Sequence, residues 1–248
     1  MDNEAVARGL VMWDNGATWV DVGGESTRPG AAPVDTETEL RRVLPVIEGL
    51  RTARPNGLIS IDTRHAVVAK AALAAGADMV NDVSGLRDPD MVNLVLETGC
   101  AVCIMHMQGE PDTMQTAPAY TDVMHDVSEF LSQRLADVSA VGIDLGRVII
   151  DPGFGFGKTA EQNFELLARL RELCNQGQPV LVGLSRKSMI SSVLDRPPEQ
   201  RLVASVALAL MAVERGARIV RVHDVAATFD ALSMWQTIRH TLSQSQQP

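Results

Sequence analysis

Short apolar runs, each closing on a polar cluster, alternate along the chain with amphipathic stretches. The runs are rich in β-branched residues, which predicts strands over 19–22, 58–62, 78–81, 101–106, 147–151, 179–183 and 218–223. The stretches between carry a helical period, which predicts helices over 4–15, 36–54, 65–75, 89–98, 120–141, 160–175, 198–215 and 225–242. Most strands are apolar on successive rather than alternate residues, as expected where both faces of a parallel sheet are covered. Three helices end in Gly-Ala before the next strand, in DNGATWV, AAGADMV and ERGARIV, where glycine supplies a left-handed cap.

This rhythm predicts a single-domain α/β fold, a (β/α)8 barrel over residues 1–242 with a polar C-terminal tail over 243–248. No GxGxxG follows an opening strand, which speaks against a doubly wound dinucleotide fold. Eight predicted helices stand against seven strands, so the first β-strand of the barrel is expected to be missing from this chain. An open barrel exposes backbone donors and acceptors at two edges, so either that strand lies upstream of Asp2 or another segment fills its place.

Composition narrows the function. A chain of 248 residues with 46% hydrophobic content can bury one sizeable core. A formal charge of −9 argues against nucleic acid, whereas the local cations Arg28, Arg186, Lys187 and Arg221 leave anionic small molecules open. Three cysteines cannot pair completely. Cys100 and Cys103 form a CxxC without a second ligand pair, so buried thiols are expected rather than a redox or zinc site. No charged leader with an apolar core is present, and no run approaches the ~18 apolar residues of a membrane span, so a soluble, cytoplasmic protein is expected.

In a parallel barrel the polar strand ends gather on one face, where catalysis sits. Asp62 ends the run Leu-Ile-Ser-Ile, where an unpaired carboxylate is costly unless it faces the mouth, binds something or caps the next helix. Asn81, Asp82 and Asp151 also follow apolar runs. Each can form an Asx turn, yet together with Asp62 they suit a flat heterocycle presenting a row of N–H donors. The run FGFGKT does not meet the phosphate-loop spacing. It reads as a mobile loop in which Phe154 or Phe156 covers a ring or packs into the core. Ser185, Arg186 and Lys187 follow a buried strand, and Lys187 can donate to a ring oxygen or nitrogen. Arg221 and His223, two apart on a predicted strand, share one face and can donate to phosphate oxygens. In GGESTRPG, Ser26, Thr27 and Arg28 add hydroxyls and a cation that an ordinary connection does not need.

The motifs DVGGESTRPGA, SIDTR, NDVSG, MHMQGEP, IIDPGFGFGK, GLSRKS and RVHD, in that order over almost the whole chain, resemble the dihydropteroate synthase family. The resemblance implies a pterin-binding TIM barrel and a transferase of folate biosynthesis. Its reaction condenses 6-hydroxymethyl-7,8-dihydropterin diphosphate with p-aminobenzoate to give 7,8-dihydropteroate and pyrophosphate. It further implies a homodimer, Mg2+ as cofactor, small molecules rather than nucleic acid or membrane as partners, and a sulfonamide target. Carried onto this chain, it assigns the pterin ring to Asp62, Asn81, Asp151 and Lys187, and the diphosphate to Arg221 and His223. Thr27, Arg28, Arg186 and Ser188 fall to the p-aminobenzoate side, with Phe154 and Phe156 near the aryl amine and Lys158, Met105 and His106 lining the pocket. Asp62, Arg28 and Lys187 are the catalytic candidates, in a dissociative substitution that needs no protein nucleophile. The family's Asn tied to Mg2+ and diphosphate belongs to the first strand, so no metal ligand is assigned within this chain. The alternatives are an N-terminally truncated, non-catalytic pterin-binding paralogue and a pterin-dependent methyltransferase domain. GLSRKS and STRPG speak against the methyltransferase.

Overall fold

The computed structural model describes residues 2–26, 32–109, 114 and 118–245. In chain order its elements are α1 (Asp2–Asp14), β1 (Trp19–Gly23), α2 (Thr36–Ala53), β2 (Leu58–Asp62), α3 (Ala66–Ala74), β3 (Met79–Asp82), α4 (Pro89–Thr98), β4 (Ala101–Met105) and α5 (Val123–Ala140). There follow β5 (Val148–Asp151), α6 (Ala160–Ala168), α7 (Leu170–Cys174), β6 (Leu181–Val182), α8 (Ser191–Leu194), α9 (Leu202–Glu214), β7 (Ile219–Val220) and α10 (Val225–Ser245). The strands lie side by side in sequence order, all parallel, with β1 to β5 in one ladder and β6 paired with β7. A bridge between Ile150 and Val180 joins the two ladders. This is the α/β architecture of a (β/α)8 barrel. Among the described residues no strand precedes α1, β1 pairs only with β2, and β7 pairs only with β6.

Capping explains where the helices start and stop. Asp35, Asp88 and Asp122 accept backbone N–H groups at the starts of α2, α4 and α5, and Thr159 with Gln162 forms a reciprocal capping box on α6. The three Gly-Ala turns behave as expected: Gly16, Gly76 and Gly216 have φ of 98°, 111° and 109°. The alanine N–H after each reaches back to the carbonyl five residues earlier, at Met12, Ala72 and Ala212, which closes the helix and aims the chain into the next strand.

The expected helix over 160–175 is divided, because α6 stops at Arg169, whose guanidinium binds Asp122, Glu165 and Glu172 instead of continuing one regular surface. The stretch from 198 opens as a 3-10 turn over Pro198–Gln200 behind a second proline, Pro197, and α9 begins only at Leu202. Strands β6 and β7 keep just two residues each in ladder.

Register separates two cores. Val20, Ile59, Ile61, Val80, Val102, Ile104, Val148, Ile150, Val180 and Val182 join the helices in the main core. Their alternates Met79, Cys103 and Leu181 pack with Trp19, Ala101, Ile149 and Ile219 in a separate cluster that plugs the barrel interior. Toward the carboxyl ends of the strands the same inward positions turn polar, at Asp21, Ser60, Asp62, Asn81 and Asp151. Cys100, Cys103 and Cys174 are free thiols, and burial pushes the Cys103 thiol well up.

Candidate active site

In the parallel register Gly23 pairs with Asp62 and Asp62 with Asn81, so the ends of three neighbouring strands stand together. Asp62 is not a helix cap: His65 occupies that position and its N–H is taken by Thr63 Oγ1 at 3.1 Å. The Asp62 side chain, 12% exposed, instead accepts from Arg221 Nη2 at 2.8 Å. Burial, partly offset by Arg221, pushes its carboxyl up to about 7. Asn81 and Asp82 point to opposite faces. Asp82 faces outward and accepts from the backbone of Ser84 and Leu86, a turn-forming role, while Asn81 Nδ2 donates to Asp21 Oδ2 at 3.2 Å.

Asp151 ends β5 and does both things its sequence allowed. It accepts the Gly153 N–H at 2.7 Å in an Asx turn, and it sits buried at the mouth, with its pKa raised by burial. The turn needs glycine at 153, where φ is 69° and a Cβ would stand 1.9 Å from the His106 carbonyl oxygen. Lys158 secures the same loop from beneath. Its buried Nζ donates to the carbonyls of Gly153 and Phe156 at 2.9 and 3.0 Å and lies 3.1 Å from His106 Nδ1. Burial lowers Lys158 to about 7 and His106 to about 3, so that imidazole is neutral and able to accept. Lys158 and His106 are therefore loop fasteners behind the mouth.

The two phenylalanines part ways. Phe154 is 1% exposed in the main core, away from the mouth where an aryl contact was expected. Phe156 joins Val83, Met105, Met107 and Met114, and Lys187 Nζ lies 4.2 Å from its ring centroid. Burial lowers Lys187 to about 8, with Asp151 pulling it back up.

The loop after β6 is held by groups the sequence reading missed. Arg186 takes a left-handed φ of 59° and pairs with Asp224 at 2.5 Å, while its N–H donates to Ser205 Oγ. The largely buried Arg201 on the far side donates to the carbonyls of Arg186 and Lys187 at 3.0 and 3.2 Å. Ser188 is exposed at the start of a 3-10 turn. Thr27 and Arg28 lie outside the described residues. Gly24 rests on the buried Glu39, whose Oε2 lies 2.7 Å from His65 Nδ1.

Arg221 and His223 correct the expectation of a shared strand face, because β7 ends at Val220. Arg221 crosses the seam between β7 and β1 to Asp21 at 2.6 Å and to Asp62, leaving its side chain 47% exposed. His223 Nδ1 lies 2.9 Å from Ser185 Oγ, with its pKa lowered by burial. The mouth therefore gathers three inward carboxylates, an amide, two cations and an imidazole. Such a set grips a polar heterocycle and an anion together.

Residues 2–223 match the family model described as pterin binding enzyme. The dihydropteroate synthase of Haemophilus influenzae is 49% identical over 225 residues, which cover 91% of this chain and 82% of the relative. That of Escherichia coli is 45% identical over 240 residues, covering 97% and 84%. Among solved structures, Xanthomonas albilineans dihydropteroate synthase with 4-aminobenzoic acid superposes with a TM-score of 0.91 at 49% identity, covering 96% of this chain and 85% of that one. Burkholderia cenocepacia dihydropteroate synthase complexed with 7,8-dihydropteroate gives 0.91 at 48%, covering 98% and 89%. The chain belongs to the pterin-binding enzymes and, within them, to the dihydropteroate synthase family.

Proposed function

We infer that this chain condenses 6-hydroxymethyl-7,8-dihydropterin diphosphate with p-aminobenzoate, releasing pyrophosphate and 7,8-dihydropteroate. The observation that carries the reading is the largely buried polar layer of Asp62, Asn81 and Asp151 at the mouth, with Lys187 beside it. A pterin edge offers several N–H donors, which carboxylates and an amide oxygen accept, and a ring oxygen or nitrogen, to which Lys187 donates. Arg221 and His223 take the diphosphate, and Arg186 and Ser188, with Thr27 and Arg28, the p-aminobenzoate. Phe156 beneath Lys187 supplies an apolar wall.

The bond between the pterin methylene carbon and the diphosphate oxygen breaks, and its electron pair leaves with pyrophosphate. The methylene cation is delocalised into the electron-rich dihydropterin. The neutral aryl amine attacks that carbon and then loses one proton to solvent. Ionised Asp62 stabilises the cation, and Arg221, which it already holds at 2.8 Å, neutralises charge on the leaving group. The enzyme's contribution is position and charge complementarity, without a protein nucleophile.

Among the described residues no three His, Cys, Asp or Glu side chains converge as metal ligands, so no step is routed through a resident ion. Mg2+ is proposed to arrive with the diphosphate, held mainly by its oxygens and by water. A homodimer is proposed through α9 and α10, whose Val203 and Met211, and Met234, Ile238 and Leu242, are exposed apolar residues at helical spacing. A cytoplasmic location is proposed with it. Among the described residues no helix is long and apolar enough to cross a membrane.

Fluorescence titration with 6-hydroxymethyl-7,8-dihydropterin tests the ring site. The wild-type chain should bind it, and Asp151→Ala and Lys187→Met should each weaken binding at least about tenfold. Unchanged binding in both variants, with folding intact, would place the pterin elsewhere.

A further inference from the structure

Asp21 belongs to none of the groups assigned above, yet it sits at the centre of the mouth. It lies two residues before the end of β1, opposite Ser60 in the register. Its Oδ1 accepts from Ser60 Oγ at 2.6 Å, and its Oδ2 accepts both from Asn81 Nδ2 at 3.2 Å and from Arg221 Nε at 2.6 Å. One carboxylate therefore holds a side chain on β2, one on β3 and one just past β7.

The bond to Asn81 has a chemical consequence. An amide has a donor end and an acceptor end, and a carboxylate accepts only from the donor end. With Nδ2 committed to Asp21, Oδ1 is left to accept, and it takes no hydrogen bond from any described residue. Without Asp21 the amide is free to turn and present an NH2 group to a ring edge made of N–H donors. The bond to Arg221 acts likewise on the cation. Nε goes to Asp21 and Nη2 to Asp62, so the guanidinium is fixed at two points across the seam.

We propose that Asp21 is a positioning residue of this site, setting the acceptor face of Asn81 toward the pterin ring and tethering Arg221 beside Asp62. The proposal rests on the pterin reading given above. It requires that Asp21 act on the ring through Asn81, so the two residues are energetically coupled.

The test is a double-variant cycle read by fluorescence titration with 6-hydroxymethyl-7,8-dihydropterin, which carries no diphosphate. Asn81→Ala and Asp21→Ala should each weaken binding about tenfold, the scale of one well-made hydrogen bond in a buried site. The double variant should be no weaker than Asn81→Ala alone. Asp21→Asn, which keeps an acceptor oxygen for Asn81 Nδ2, should stay within about threefold of wild type, short of the roughly tenfold loss expected for the alanine variant. If the alanine variant does not fold, Asp21→Ser takes its place in the cycle. Wild-type affinity in folded Asp21→Ala or Asp21→Ser, or losses that simply add in the double variant, would overturn the proposal. A wild-type chain that fails to bind the pterin would overturn the reading of the site itself, and this inference with it.

Discussion

Gly153 gives the sharpest quantitative prediction, because two costs meet there and neighbouring glycines separate them. Its φ of 69° is left-handed, and a Cβ would stand 1.9 Å from the His106 carbonyl oxygen, backbone against backbone, with no rotamer to relieve it. For alanine the left-handed conformation alone costs about 1–2 kcal/mol. The overlap forces the loop off the end of β4, which breaks the Gly153 N–H bond to Asp151 and the Lys158 bond to the Gly153 carbonyl. At about 1 kcal/mol for each bond, and more for a buried group left unpaired, the total is on the order of 3–5 kcal/mol. That corresponds to roughly 6–20 °C in Tm for a domain of this size. Gly177, with φ of 103° and nothing within 4 Å, carries only the conformational cost, and Gly183 has neither a positive φ nor a neighbour. Thermal unfolding should therefore rank the alanine variants at 153, 177 and 183 from large loss through about 1–2 kcal/mol to nearly none. Pterin affinity should fall only at 153, because Asp151 loses its fixing N–H there. A Gly153→Ala protein that melts with Gly177→Ala would refute the steric part of the reasoning.

Asp62 should impose a pH dependence, since burial pushes its carboxyl up to about 7. In the proposed mechanism its ionised form accepts from the ring and stabilises the cation, so kcat/KM for the pterin diphosphate should rise with pH through about 7, and Asp62→Asn should remove that limb at much lower activity. The same raised value has the opposite sign for stability. The folded state keeps a proton that the unfolded chain releases near pH 4, so stability should fall as pH rises from about 4 to about 7, a slope that Asp62→Asn should abolish in Tm measurements. For the proposed dimer, Met234→Asp or Ile238→Asp should shift sedimentation velocity toward a monomer while leaving the fold intact. A wild-type chain that is already monomeric at micromolar concentration would contradict that face as an interface.

The strand ends were the legible part of this chain. Asp62, Asn81 and Asp151 could be read because each stands at the end of a buried strand, and Lys187 because it follows one, and the structure brings them to one mouth. The period of two also separates Asn81 from Asp82, one facing in and one out. Asp21 was missed although it obeys the same period, because it lies inside the run WVDVG rather than at its end, where attention to strand termini does not reach. Arg201 acts from a place remote in sequence from the loop it holds, and Asp224, although it closes the run RVHD, carries no local sign of its pairing with Arg186. Phe154 and Phe156 could not be distinguished, since a glycine-rich loop has no period to say which ring turns inward. Arg221 and His223 were placed on one strand face because the run IVRVHD looks continuous, yet β7 has one neighbour and ends at Val220.

The most direct measurement is pyrophosphate release from 6-hydroxymethyl-7,8-dihydropterin diphosphate by this chain, with and without p-aminobenzoate, in the presence of Mg2+. Release that requires the amine and yields one 7,8-dihydropteroate per pyrophosphate is the predicted result. Tight pterin binding with no amine-dependent release would contradict the account and identify a binding protein that has kept the ring site without the condensation.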